Sequence, residues 1–331
     1  MPRGPYQPTA GGVPPASPAA GGWILYSRPV SHPHKSEARG LALIALSTLA
    51  YGVQPIFGKV AYAAGVEPLP LLAWRYLIAL VCLELLERGP RPPLRVRLRL
   101  WGIGSVFVFN SIAYFMALDA LPASVTALVL FTYPVIVALL AALAGVEALT
   151  WRSLLAALAA FAGCALTAGG LRLSAGLPAR GVVWALAAAL VYAGFVVLSS
   201  RFGKGVPARV LALHLVQVAA LLCVIFAFLG PGLSLPRDPR AWLSVTAIAV
   251  VSTVVSMIAF LAGMALVGPS RASVLSSLEV LVTLVLAFLL LGERLTAPQW
   301  AGAALILGAV AFQNAAALQR VLRRSPASDS A

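Results

Sequence analysis

The chain is 331 residues long, 61% apolar and only 10% charged, with a mean hydropathy of +0.94. A soluble domain carries roughly a quarter charged residues and about half apolar ones, so a soluble fold is excluded. The formal net charge of +14 raises nucleic acid as a partner, but the arginines lie between apolar runs and form no aromatic-interleaved basic face, so none is expected.

Residues 1–37 are dense in Pro, Gly and Ala and cannot build a core; they are expected to form a disordered cytoplasmic tail, in which His32 and His34 have no role. No apolar h-region follows Arg3, so this is not read as a signal peptide. From there, apolar runs of about twenty residues follow one another, the length a helix needs to cross ~30 Å of hydrocarbon. Ten spans are predicted, at 41–61, 69–87, 100–118, 123–144, 152–170, 181–200, 209–229, 241–266, 272–291 and 298–317. The runs lack the period-two alternation of barrel strands, so the expected fold is an all-α integral membrane protein. Residues 318–331 form a second cytoplasmic tail. Cys82, Cys164 and Cys223 each lie inside a run, far apart, and are read as inert buried thiols.

Lys and Arg in the loops set the orientation. With the N-terminus inside, seventeen fall on the cytoplasmic side. Six (Lys59, Arg172, Arg180, Arg237, Arg240 and Arg294) fall outside, and Arg75 lies within a span. Both termini are therefore expected in the cytoplasm, with the chain in a cell inner or plasma membrane.

The chain also repeats itself. Glu147-x-Leu149-Thr150 matches Glu293-x-Leu295-Thr296 at a separation of 146. Arg39-Gly40 with Leu49-x-Tyr51 matches Arg180-Gly181 with Leu190-x-Tyr192 at a separation of 141. Each half then holds five spans, an odd number, so the second copy is inverted. The expected units are 38–171 and 178–317, two inverted five-helix repeats. Inverted halves that open a midplane site to each side in turn are a transporter device.

With these features the chain resembles the EamA-type family of the drug/metabolite transporter superfamily. The residues that carry the resemblance are Trp74-Arg75-Tyr76, Leu278-Glu279 and Gly292-Glu293-Arg294-Leu295-Thr296. The family follows the span-nine glutamate with proline, where Val280 stands here; the first half keeps Pro134 in Thr132-Tyr133-Pro134. The resemblance implies a permease, often an exporter, of amino acids, similar metabolites or drugs.

Ionisable groups inside spans are costly and face the bundle interior or a water-filled cavity. Glu279, about seven residues into the ninth span, is read as a cavity carboxylate that binds a cation or cycles a proton; the alternative is packing against Ser276, Ser277 and Thr283. Arg75 either attracts a substrate carboxylate or snorkels outward. His214 has a mainly structural reading but joins Glu279 as a candidate for proton coupling, and on depth Glu279 should meet His214 more easily than Arg75. Lys59 and Glu84 are structural, with Glu84 expected to pair with Arg88 four residues on. Tyr51 and Gln54 in span one, Asn110 and Tyr114 on one face of span three, Tyr133 in span four and Tyr192 in span six complete the candidate lining. Each of these can equally serve interhelical hydrogen bonding.

No HExxH, GxSxG or paired intramembrane Asp points to an enzyme, no TVGYG filter to a channel, and short loops argue against a scaffold. Neither a cofactor nor a metal is expected. The expected partners are a small-molecule substrate and the lipid bilayer, with a homodimer left open.

Overall fold

The computed structural model describes residues 33–143, 177–203, 205–230, 232–267 and 278–313, with isolated positions within 151–166 and 272–276. The fifth predicted span (152–170) and the first copy of the repeat motif, Glu147 to Thr150, lie largely or wholly outside the described residues, as do Cys164, Ser277 and the two tails apart from 33–37. The described residues are helical and contain no strand. Six helical runs among them are long and apolar enough to cross a bilayer: 37–63, 68–86, 94–120, 179–199, 208–229 and 239–267. Shorter apolar helices occupy 123–137 and 278–291.

In chain order the helices are α1 (Pro33–Gly52), α2 (Gln54–Ala63), α3 (Pro68–Leu86), α4 (Leu94–Ala120), α5 (Ala123–Leu130) and α6 (Tyr133–Leu143). After the partly described stretch come α7 (Ala179–Phe202), α8 (Ala208–Leu229), α9 (Pro239–Ala249), α10 (Ser256–Val267), α11 (Leu278–Leu291) and α12 (Ala297–Gln313). A π-helical stretch, Val250–Val255, joins α9 to α10. The main packed pairs are α4 on α7, α3 on α8 and α1 on α10.

Three predicted spans are interrupted, and two of the breaks follow from proline. Pro55 has no N–H for the Tyr51 carbonyl and Pro134 none for the Leu130 carbonyl, so α1 gives way to α2 at Val53 and α5 to α6 at Phe131–Thr132. In hydrocarbon a broken turn must find other donors. Around Val53 it does so across helices: Ser252 Oγ donates to the Ala50 carbonyl at 2.7 Å and Thr283 Oγ1 to the Gly52 carbonyl at 3.1 Å. Thr132 Oγ1 donates to Val129 O at 2.9 Å. The third break is the π turn, where Thr253 Oγ1 donates to Ile248 O, five residues back, at 3.0 Å.

The turn after α11 ends at Gly292 with φ +66°, a conformation that favours glycine. Glu293 follows and reaches into the other half of the chain. Its Oε1 accepts from the Ala123 backbone N–H at 2.8 Å, and Oε2 accepts from Ser124 N–H at 3.0 Å and Ser124 Oγ at 2.6 Å. These are otherwise orphan donors at the start of α5, and a carboxylate there also meets the positive end of the helix dipole.

Glu84 does not pair with Arg88. The α3 helix ends at Leu86 and Glu87 is extended (φ −109°, ψ 91°), so no i,i+4 geometry exists beyond it. Glu84 instead binds Arg91 Nη2 at 3.0 Å and accepts from Gln217 Nε2 at 2.9 Å.

Gly52 marks a close approach of α1 to α11: a Cβ there would lie 2.5 Å from Val282 Cγ1 and 2.7 Å from its Cβ. Valine is stiff at χ1 and cannot swing away. Gly52→Ala should therefore lower stability by about 1–3 kcal/mol, the usual cost of overpacking, and Val282→Ala in the same chain, which removes the Cγ1 contact but keeps the Cβ, should restore part of it. Thermal unfolding of the purified variants checks this; a double variant no better than Gly52→Ala would refute the steric cause.

Candidate functional site

The two proline breaks flank one cavity of about 540 Å³, counting the part open to solvent. Tyr51 and Gln54 come from the α1–α2 break, Arg75 from α3, and Asn110 and Tyr114 from α4. Tyr133 comes from the start of α6, Tyr192 from α7 and Glu279 from the first turn of α11. All eight residues nominated as substrate-binding from the sequence line it together. Phe107, Ser111, Leu130 and Phe131 complete the wall.

Arg75 is the most constrained group. It is 2% exposed. Its Nε donates to Thr253 Oγ1 at 2.7 Å and its Nη2 to Gln54 Oε1 at 3.0 Å, with the Ser252 carbonyl 3.5 Å from Nη2. The guanidinium carbon lies 4.9 Å from the Tyr76 ring centroid and 5.3 Å from that of Phe115, within cation–π range. Nη1 is buried with no hydrogen-bond partner. The π turn makes this possible. Thr253 Oγ1 accepts from Arg75 while donating to Ile248 O, and the widened turn turns the Ser252 carbonyl toward the same guanidinium.

The aromatic part of the wall is mutually braced. Tyr133 and Tyr192 meet edge to face at 4.6 Å between centroids, Phe131 packs on Tyr133 at 5.5 Å, and Tyr192 stacks on Phe195 at 5.7 Å. Asn110 Nδ2 donates to the Ala188 carbonyl of α7 at 2.9 Å, which fixes its amide and leaves Oδ1 for another donor. Tyr76 and Ser111 share a hydrogen bond of 2.5 Å behind the wall.

Glu279 lines the cavity half-buried. The Thr283 hydroxyl considered as its packing partner goes to Gly52 O instead. His214 does not line the cavity. Its Nδ1 is 2.7 Å from the Val210 carbonyl one turn back, and its Nε2 is buried without a partner. The depth argument that put Glu279 nearer His214 than Arg75 fails because depth ignores which helices border the cavity. Arg75 and Glu279 share the cavity, whereas neither His214 nor any other residue of α8 lines it. Sequence reading did not single out Ser252 and Thr253, although two hydroxyls inside the run VVSTVV were the available signal.

Thr253→Val should leave the Arg75 Nε–H unsatisfied, at about 1–3 kcal/mol, whereas Thr253→Ser should keep it bonded. Thermal midpoints of the two variants decide the point; a loss for Thr253→Val no greater than that for Thr253→Ser would rule out the hydrogen bond as the cause.

The sequence pattern of the EamA-like transporter family matches residues 38–169 and again 179–315. A Bacillus subtilis (strain 168) protein named "Uncharacterized transporter YcbK" is 28% identical over 275 residues, covering 79% of this chain and 88% of the relative. A protein crystal structure 22% identical in sequence superposes with a TM-score of 0.62, covering 87% of this chain and 99% of the other, a likeness of fold. The chain thus belongs to the EamA-like transporter family and is a multi-pass membrane protein.

Proposed function

We propose that this transporter exports small zwitterionic metabolites, with amino acids as the leading class, by alternating access around the cavity just described. The observation that carries the reading is the pairing of a cation and an anion across one aromatic-lined space. Arg75 has a free Nη1 donor edge suited to a carboxylate, and Glu279 is placed to take an ammonium. Tyr51, Tyr114, Tyr133 and Tyr192 provide rigid apolar faces for the rest of the molecule, and Asn110 Oδ1 and Gln54 add polar contacts.

The architecture in this proposal is ten spans in two inverted units, 38–171 and 178–317, with both termini in the cytoplasm and the chain in the plasma membrane. The helix pairs support it. An in-plane two-fold axis that exchanges the halves would exchange the α4–α7 pair with the α1–α10 pair and leave α3–α8 on the axis, and these three are the main packed pairs. Rocking of one half against the other around a fixed site is the simplest motion for such a pair. Export follows from the family resemblance. Glu279 makes coupling to a proton available, and no cofactor is needed for either coupled or passive movement.

The test compares metabolites in the medium of cells carrying the wild type, Glu279→Gln, Arg75→Gln or empty vector, at equal membrane abundance. A zwitterion should accumulate outside with the wild type, with at least a tenfold lower rate for either variant, and its decarboxylated amine should not be exported. An acid outside favouring export by the wild type but not Glu279→Gln would indicate proton antiport. No difference between wild type and vector would sink the export reading; equal export by both variants would sink the two-charge site.

A further inference from the structure

The cluster of arginines where α3 turns into α4 does more than orient the chain. From residue 88 to 99 the sequence reads RGPRPPLRVRLR, with five arginines and no acid. Arg88, Arg91, Arg95 and Arg99 are exposed, and Arg97 is half-buried. Among the described residues, Glu84 is the one carboxylate within ion-pair distance of this group. Its two oxygens are already taken by Arg91 and Gln217.

Arg97 is nevertheless held in place. Its guanidinium carbon lies 4.8 Å from the Trp101 ring centroid, and the Trp101 Nε1–H is fixed to Gln217 Oε1 at 3.2 Å. The chain Trp101–Gln217–Glu84–Arg91 thus builds a rigid shelf under Arg97. The Arg97 Nε–H is buried and has no partner. A topology signal needs only charge, and nothing in it requires an oriented, unpaired guanidinium.

The helix geometry says what fits there. At 1.5 Å per residue the 27 residues of α4 extend for about 40 Å, roughly 10 Å more than the hydrocarbon core. The arginines occupy one end, so the first turns of α4 stand at headgroup depth. Leu94 and Leu98 on those turns are 60% and 55% exposed, one turn apart and next to Arg95 and Arg99. A free phosphate would use only the arginines. A lipid with an anionic headgroup would use both, its phosphate against the guanidinium groups and its upper acyl chain along the two leucines.

We propose that Arg95, Arg97 and Arg99, with Leu94 and Leu98, form a binding site for an anionic phospholipid headgroup at the α3–α4 turn. The partner is recognised by its phosphate charge and by the acyl chain beneath it, and the site is separate from the central cavity, so it stands whatever the cargo is.

The experiment uses the full-length protein in zwitterionic detergent, titrated with phosphatidylglycerol, phosphatidylcholine or inorganic phosphate. Readouts are the thermal unfolding midpoint and the lipids retained in native mass spectra. Phosphatidylglycerol should raise the midpoint and stay bound to the wild type, and phosphatidylcholine and inorganic phosphate should do neither. Each arginine near a charged membrane surface contributes roughly a fivefold affinity factor at about 1 kcal/mol, so Arg97→Gln should bind about fivefold more weakly. The triple variant R95Q/R97Q/R99Q should lose on the order of a hundredfold. The pair R237Q/R240Q, at the start of α9, should behave as wild type. Should the triple variant fail to insert, Arg97→Gln against R237Q/R240Q alone decides. Equal stabilisation by phosphatidylcholine, or unchanged phosphatidylglycerol binding by Arg97→Gln, overturns the proposal; stabilisation by inorganic phosphate alone replaces the lipid with a soluble anion and overturns it too.

Discussion

In hydrocarbon no backbone polar group can be left to water, and the whole centre of this protein follows from that constraint. Three predicted spans are broken, at Val53, at Phe131–Thr132 and at Val250–Val255. Each break exposes carbonyls, and each is closed by a hydroxyl from Ser252, Thr283, Thr132 or Thr253. The repairs bind α1 to the π-helical stretch and to α11 through side chains as well as through packing. The cavity sits between the two proline breaks, whose flanking residues Tyr51, Gln54, Leu130, Phe131 and Tyr133 line it.

The same repairs make a buried cation tolerable. A guanidinium in low dielectric needs acceptors and a polarisable surround, and Arg75 gets Thr253, Gln54 and the rings of Tyr76 and Phe115. Its support comes from both halves of the chain, Gln54 from the first and Thr253 from the second. Any displacement of α9–α10 relative to α2–α3 therefore changes the environment of the charge that faces the cavity. Electrostatics and helix geometry are coupled at one side chain.

Much of this was legible in the sequence. Polar and ionisable residues within apolar runs are few, and intramembrane polarity has few uses, so listing them was enough to find the eight that now line one cavity. Proline stands in the sequence at two of the three breaks, Pro55 and Pro134. The π turn had no such marker, since an inserted residue in a run of valines changes neither composition nor length detectably. The partner of Glu84 was missed because i,i+4 pairing presupposes a helix that stops at Leu86. The place of His214 was missed because a depth along the membrane normal says nothing about which helices border the cavity. Sequence reading handled what depends on solvent and failed where the local backbone path decided.

The bond set of Glu293 has a consequence for how the chain is made. Ala123 and Ser124 precede Glu293 by 170 and 169 residues, so the donors at the head of α5 enter the bilayer long before their acceptor is synthesised. At about 5–20 residues per second, that interval is roughly 10–30 s. Throughout it the donors at the head of α5 wait without this acceptor. This joint is closed from the C-terminal side, and a chain that ends before Gly292 carries the donors of Ala123 and Ser124 with no Glu293 to bind them.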